Sequence, residues 1–369
     1  MDDSTTPITT NPSVISPSPE DHLFTQEMLA RRTPSHRLAY SDRTAWLMAC
    51  MAQLAYIRFN PPFFGKSQEE KFHKAIDRLL SNKKLSIFTE LIEKLSYDAE
   101  REKGILTSEL NGLNFKLEKL FDSKETGTQA FLASTDKFLI LAFRGTETTS
   151  VKDIRSDIKA NKVPCATEGM VHQGFKESYE SVAGNIQKAI DEPEHAGKSL
   201  LIAGHSLGGA LATVAAKRLK CKAGIAACYT FGSPSVGSAE WITPLKTPVY
   251  RIVNAADAVT LLPPGSVTIS VLAKVCSFIP RFGKSLSKGL MDKFGGYLHT
   301  GDMRYLTNCA PGDYQDVQLL PAVTFFYRLF GFLNKNPIKS KPLTDHSIAT
   351  YRKKLGIVAQ KRNKNTLSY

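Results

Sequence analysis

The sequence predicts an α/β fold: a central, mostly parallel sheet flanked by helices, with an extra helical insertion ahead of the core strands. Strand-like apolar runs alternate with helical patterns from about residue 128 to 254, the order that builds a parallel sheet through helical crossovers. One such run, SLLIAG, ends abruptly in Gly204-His205-Ser206-Leu207-Gly208 and leads straight into an alanine-rich helical pattern. Ahead of the first core strands, residues 66–118 interleave charge with Leu, Ile and Phe at helical spacing.

Taken in order, residues 1–22 are rich in Ser, Thr and Pro, a composition that cannot offset the entropy of ordering, so a disordered tail is expected. The domain proper is expected over 41–355. DRTAWLMACMAQLAYIRF (42–59) is apolar enough for a mostly buried helix, with Ser41 as its N-cap. TQAFLAS (128–134) and KFLILAFRG (137–145) read as strands joined by a tight polar turn. An amphipathic helix at 174–191 follows, then strand SLLIAG, helix LGGALATVAAKRL, strand ACYTFG and strand VYRIVN. The last residues, 356–369, read as a basic tail.

Lys and Arg number 48 against 35 Asp and Glu, a net charge of +13. That excess suits anionic surfaces of any kind, but no RNP, KH, zinc-finger or helix-turn-helix signature accompanies it, so nucleic acid is excluded as a partner. Cys50, Cys165, Cys221, Cys228, Cys276 and Cys309 lack CxxC or Cys/His spacing. No metal site is expected from them, and buried reduced thiols are favoured over disulfides. The acidic N-terminus, MDD, has no apolar h-region behind it, and no stretch reaches the length of a membrane span. A cytoplasmic or peripheral-membrane location is expected, with export by a leaderless route as the alternative.

A serine fenced by glycines between a strand and a helix has the context of a nucleophile elbow; alone, the same motif is also a helix-capping turn. As a nucleophile, Ser206 needs a histidine base, and the base needs a carboxylate that fixes its tautomer. With chain order Ser, acid, His, Asp257 just past VYRIVN is the candidate acid, and His299 and His346 are the downstream histidines. Order alone does not separate the two. His205 is expected to point away from Ser206 and to serve in hydrogen bonding, and His172 to be scaffold.

AFRGTE (142–147), VHQGF (171–175), GHSLGGALA (204–212), YTFGSPSVG (229–237) and RIVNAADAVTLLPP (251–264), followed by YLHTGDMRYL (297–306) and DHSIATY (345–351), resemble the motifs of the fungal-type, class 3 lipases in order and spacing. The resemblance implies an α/β-hydrolase fold, with Ser206 as nucleophile, Asp257 as acid and His346 as base, His299 being the non-catalytic histidine. It also implies an oxyanion hole formed by Thr146 and the N–H of Leu207. No cofactor is needed. Arg144 is then expected to brace the Thr146 loop by ion pairing, with Asp157 as the candidate partner.

The resemblance implies hydrolysis of lipid acyl esters, of triacylglycerol lipase or phospholipase A type. Residues 149–160 occupy the lid position of that family but are more charged than an interfacial lid. Residues 266–294 and 320–340, with apolar faces beside Lys284, Lys288, Arg328 and Lys335, are candidate membrane-facing segments. Alternatives are a small-ester or thioester hydrolase and a non-catalytic lipid-binding module of the same fold.

Overall fold

A computed structural model describes residues 39–58, 98–145, 161–165, 167–263, 296–310, 312–324, 326–328 and 345–366. Its strands, in chain order, are β1 (Lys116–Asp122), β2 (Gln129–Ser134), β3 (Phe138–Phe143), β4 (Lys162–Cys165), β5 (Thr167–His172), β6 (Ser199–His205), β7 (Ile225–Phe231), β8 (Val249–Asn254), β9 (Asp302–Leu306) and β10 (Leu319–Pro321). Its helices are α1 (Asp42–Leu54), α2 (Ala99–Gly112), α3 (Gln173–Ile190), α4 (Leu207–Arg218), the short α5 (Ala239–Ile242) and α6 (Ile348–Thr366).

The main sheet runs β1-β2-β3-β6-β7-β8-β9-β10. Its centre, from β3 to β9, is parallel, and its margins pair antiparallel. Every residue of β3 and β6 is buried, because a parallel sheet is covered on both faces and so reads as a continuous apolar run. Alternation along β3 divides the core. Ile140 and Ala142 join α1, α2 and α6 on one face, while Leu139 and Leu141 join α3 and α4 on the other. The α/β-hydrolase architecture expected from the sequence is the one observed. The pair β4–β5 forms a separate two-stranded ribbon.

Ser41 caps α1 as expected, accepting from the N–H of Thr44 at 3.4 Å. The helix stops at Leu54. Tyr56 and Ile57 continue as tight turns onto Gln53 and Leu54, which carries the Tyr56 side chain toward the end of β6.

Two expectations are corrected. The 66–118 insertion is helical at Ala99–Gly112, where Asp98 accepts from the N–H groups of Glu100 and Arg101, but from Lys116 the chain is strand β1. Its neighbour β2 decides this: a charged heptapeptide with no helical partner gains a full ladder at the sheet edge. Residues 59–97, with most of the insertion, lie outside the described residues. The basic tail is likewise a helix, continuous from Ile348 to Thr366. It lies along α1, with Leu355, Val358 and Ala359 buried, Arg352 donating to Gln53 at 2.8 Å and Arg362 paired with Asp42 at 2.9 Å.

The expected N-terminal tail 1–22, the expected lid 149–160 and the candidate membrane-facing stretch 266–294 lie outside the described residues. Of 320–340, the described part includes β10 and a turn where Phe326 and Tyr327 are 60% and 51% exposed. Arg328, expected among the surface bases, turns inward and donates to the Thr260 hydroxyl. Cys50, Cys165, Cys221, Cys228 and Cys309 are free thiols, and Cys276 lies outside the described residues. No described helix is long and apolar enough to cross a membrane.

Candidate active site

Ser206 sits between the last residue of β6 and the first of α4, at φ 58° and ψ −128°. For a residue with a side chain this backbone costs on the order of 1–3 kcal/mol and persists only where its surroundings impose it. Here the turn is clamped by Ser206 N–H donating to Phe231 O at 2.9 Å and Gly209 N–H donating to Ser206 O at 3.0 Å. The glycines follow from crowding. A Cβ on Gly204 would collide with the Gly208 carbonyl, and one on Gly208 with that of Phe143.

The structure brings the three expected residues together. Ser206 Oγ lies 2.9 Å from His346 Nε2, and His346 Nδ1 lies 3.0 and 2.9 Å from the two oxygens of Asp257. All three are buried. Because Nδ1 faces a carboxylate, it carries the ring proton and leaves Nε2 as the acceptor for the serine hydroxyl. Asp257 also accepts from Val259 N–H at 2.9 Å and from the Tyr351 hydroxyl at 2.6 Å. Those donors hold it as an oriented anion.

Asp257 and His346 lie on separate loops that are laced together. Asn254, at the end of β8, donates its Nδ2 to Asp345 O at 2.8 Å, and Ala256 N–H donates to the Asp345 carboxylate at 3.2 Å. The buried ammonium of Lys354 donates to Asn254 Oδ1 and to Thr307 O, both at 2.8 Å. Tyr351 closes the network, accepting from Asn254 N–H at 3.0 Å. Burial, and after it the neighbouring Asp257, push the Tyr351 phenol well above its ordinary pKa, so it stays protonated.

His205 behaves as expected. Its Nε2 donates to the backbone oxygen of His346 at 2.5 Å, which leaves Nδ1 to accept from the Tyr56 hydroxyl at 2.7 Å. Burial and the neighbouring His346 hold it well below the ordinary histidine pKa. It is therefore a neutral peg under the His346 loop. His299 donates Nε2 to Thr260 O at 2.7 Å, away from Ser206. Of the two downstream histidines, only His346 reaches the serine.

Leu207 N–H is the first donor of α4, where no intrahelical acceptor exists and the helix dipole is positive. Thr146 and Asp157 lie outside the described residues. Arg144 reaches Gln129, through its side chain at 2.5 Å and its N–H at 2.9 Å. Sequence reading named Asp345 and Tyr351 within DHSIATY without giving them roles, and missed the supporting residues Tyr56, Asn254 and Lys354.

His172 is scaffold: it caps α3, accepting from Phe175 N–H at 3.4 Å, and stacks on the Phe175 ring at 4.0 Å. Burial lowers its pKa from 6.5 to about 4. The unfolded chain binds this proton at pH values where the folded protein does not, so the contribution is fully present above pH 6.5 and is lost as pH falls toward 4. At about 1.4 kcal/mol per pH unit, the loss is about 3 kcal/mol. His172→Asn keeps a capping acceptor and should flatten the fall in urea midpoint between neutral and acid pH. An unchanged pH slope would refute the assignment.

Residues 140–267 match the family described as lipase (class 3). The secreted mono- and diacylglycerol lipase 1 of Fusarium solani is 34% identical over 149 residues, covering 38% of this chain and 44% of the relative. The chloroplastic phospholipase A(1) DAD1 of Arabidopsis thaliana is 31% identical over 153 residues, covering 34% and 33%. Among solved structures, lipase II from Rhizopus niveus is similar with 20% identity and a TM-score of 0.49, covering 84% of this chain and 94% of that one. The chain spans less than half the length of the curated relatives it matches. The expected cytoplasmic or membrane-peripheral location is corrected, because the Fusarium relative is named as secreted.

Proposed function

We propose that the chain, whose residues 140–267 match the class 3 lipase family, hydrolyses carboxylic esters of glycerolipids. The observation that carries this reading is the hydrogen-bonded relay from Ser206 through His346 to Asp257 on a strained strand-to-helix turn. In the proposed cycle Ser206 Oγ attacks the ester carbonyl while His346 Nε2 takes its proton. The oxyanion is held by Leu207 N–H and by Thr146, the donor expected from the sequence. His346 then protonates the departing glycerol oxygen, and water, deprotonated by the same nitrogen, releases the fatty acid.

The relatives' names, mono- and diacylglycerol lipase and phospholipase A(1), support acylglycerols and phospholipids as substrate classes. Surface contact with lipid is supported by the net charge of +13 and by exposed Phe326 and Tyr327. The name of the Fusarium relative supports action outside the cell. Fatty-acid release from emulsified diacylglycerol and from anionic phospholipid vesicles tests the reading. Release from either is expected, and the preferred one fixes the class. Turnover of short soluble esters alone would replace the lipid reading with a small-ester hydrolase, and no turnover at all by folded protein would favour a lipid-binding module.

A further inference from the structure

Where the turn after α3 meets edge strand β1 lies a second polar cluster with no part in this chemistry: His195 is buried, Glu118 half-buried and Glu194 exposed. His195 ends the 3-10 turn Pro193–His195 that follows α3, and its side chain is 1% exposed. Its Nδ1 lies 2.7 Å from the carbonyl oxygen of Ala189. That carbonyl can only accept, so in the neutral ring Nδ1 carries the proton and Nε2 presents a lone pair. The lone pair has no hydrogen-bond partner. It faces two carboxylates instead: Glu194 Oε1 at 3.6 Å and Glu118 Oε1 at 4.0 Å.

A lone pair turned toward two anions is repulsive unless a positive charge lies between them. Both separations exceed a hydrogen bond, which for nitrogen and oxygen is about 2.7–3.2 Å. They approach the spacing of neighbouring ligands around a tetrahedral zinc ion, about 3.3–3.6 Å for bonds of 2.0–2.2 Å. The three ligand atoms all lie within 4.8 Å of one another.

Local structure aims them. The register of β1 against β2 shifts between Leu117 and Lys119, so Glu118 is the extra residue of a β-bulge, a device that re-directs a side chain at a sheet edge. Ser134 Oγ donates to Glu118 Oε1 at 2.6 Å, and Lys116 holds the other oxygen at 2.9 Å. Together they fix the carboxylate and leave Oε1 a second lone pair. The hydrogen bond from Nδ1 to a backbone carbonyl is the support that ligating histidines use to fix their tautomer.

We propose that His195 Nε2, Glu118 and Glu194 bind a divalent cation of the zinc type, with water completing the shell. A nitrogen ligand beside two carboxylates selects zinc over calcium, which prefers oxygen alone. The expectation of no metal site rested on cysteine spacing, and this set contains no cysteine. The ion would tie edge strand β1 to the connection that feeds β6, and so act on stability and not on the ester chemistry.

The test uses the full chain, stripped with chelator, and titrates Zn²⁺ by calorimetry with Ca²⁺ as control. One Zn²⁺ per chain is expected, with X-ray absorption showing one nitrogen and the remaining ligands oxygen. At a hundredfold excess over Kd the melting temperature should rise by about 2–4 °C. Glu194→Gln, at a side chain 62% exposed and therefore safe for folding, should weaken binding at least tenfold, as should His195→Gln. Absence of stoichiometric Zn²⁺ binding overturns the proposal, as does binding that Glu194→Gln leaves unchanged. A His195 imidazolium seen by NMR in metal-saturating buffer would also overturn it, assigning the cluster to an ion pair.

Discussion

Ser206→Ala is expected to lower kcat on any accepted ester by about 10⁴–10⁶. The hydroxyl's hydrogen bond is to His346 Nε2, so its loss removes the nucleophile while the backbone clamps at Phe231 and Gly209 remain. Alanine inherits the strained φ of 58°, whereas glycine adopts such angles freely. Ser206→Gly should therefore be equally inactive yet more stable than Ser206→Ala by about 1 kcal/mol. Burst kinetics on a soluble chromogenic ester, with urea midpoints for both variants, reads the two effects separately. Activity within tenfold of wild type in Ser206→Ala would sink the nucleophile assignment. Equal stability of the two variants would show that the turn stores no strain at this residue.

This separation of strain from chemistry bears on why the elbow was legible in the sequence. Its requirements are local: an apolar run that must be buried, glycines where backbones touch, and a helix start within one turn. The same holds for β2, β3, β6, β7 and β8, whose apolar runs admit one assignment. Strand β1 was not legible because KLEKLFD, exposed or half-buried everywhere but at Phe121, shows the same charge–apolar mixture as the helix before it. Its state is set by β2, a partner that local periodicity does not reveal. Helix α6 failed for a related reason. Its Lys and Arg residues advertise a solvated tail, but Lys354 is 1% exposed because Asn254 and Thr307 supply acceptors across the fold. Asp257 and His346 stand 89 residues apart, and it was the family resemblance, not chain order, that chose His346 over His299.

The network around Asp257 makes the second large effect calculable in direction. Asp257→Asn keeps the size of the side chain but replaces one acceptor oxygen with an N–H₂ donor. Val259 N–H donates to Oδ1 at 2.9 Å and can only donate, so the amide keeps its oxygen there and puts N–H₂ at the Oδ2 position, where the Tyr351 hydroxyl at 2.6 Å turns to accept. The amide nitrogen is then left facing His346 Nδ1. A donor there forces Nδ1 to accept, the ring proton moves to Nε2, and Nε2–H points at Ser206 Oγ with no lone pair for its proton. The base is lost although every atom stays within a few tenths of an ångström. By this tautomer argument kcat should fall by about 10⁴ with KM little changed, since His346 and Asp257 hold the reacting proton and not the bound lipid. Nitrogen NMR on ring-labelled protein should show the Nδ1–H resonance of wild type replaced by Nε2–H. A drop of less than tenfold, or an Nδ1–H that persists in Asp257→Asn, would mean that Asp257 does not set the tautomer, leaving His205 and Tyr56 beneath the loop as the groups that orient His346.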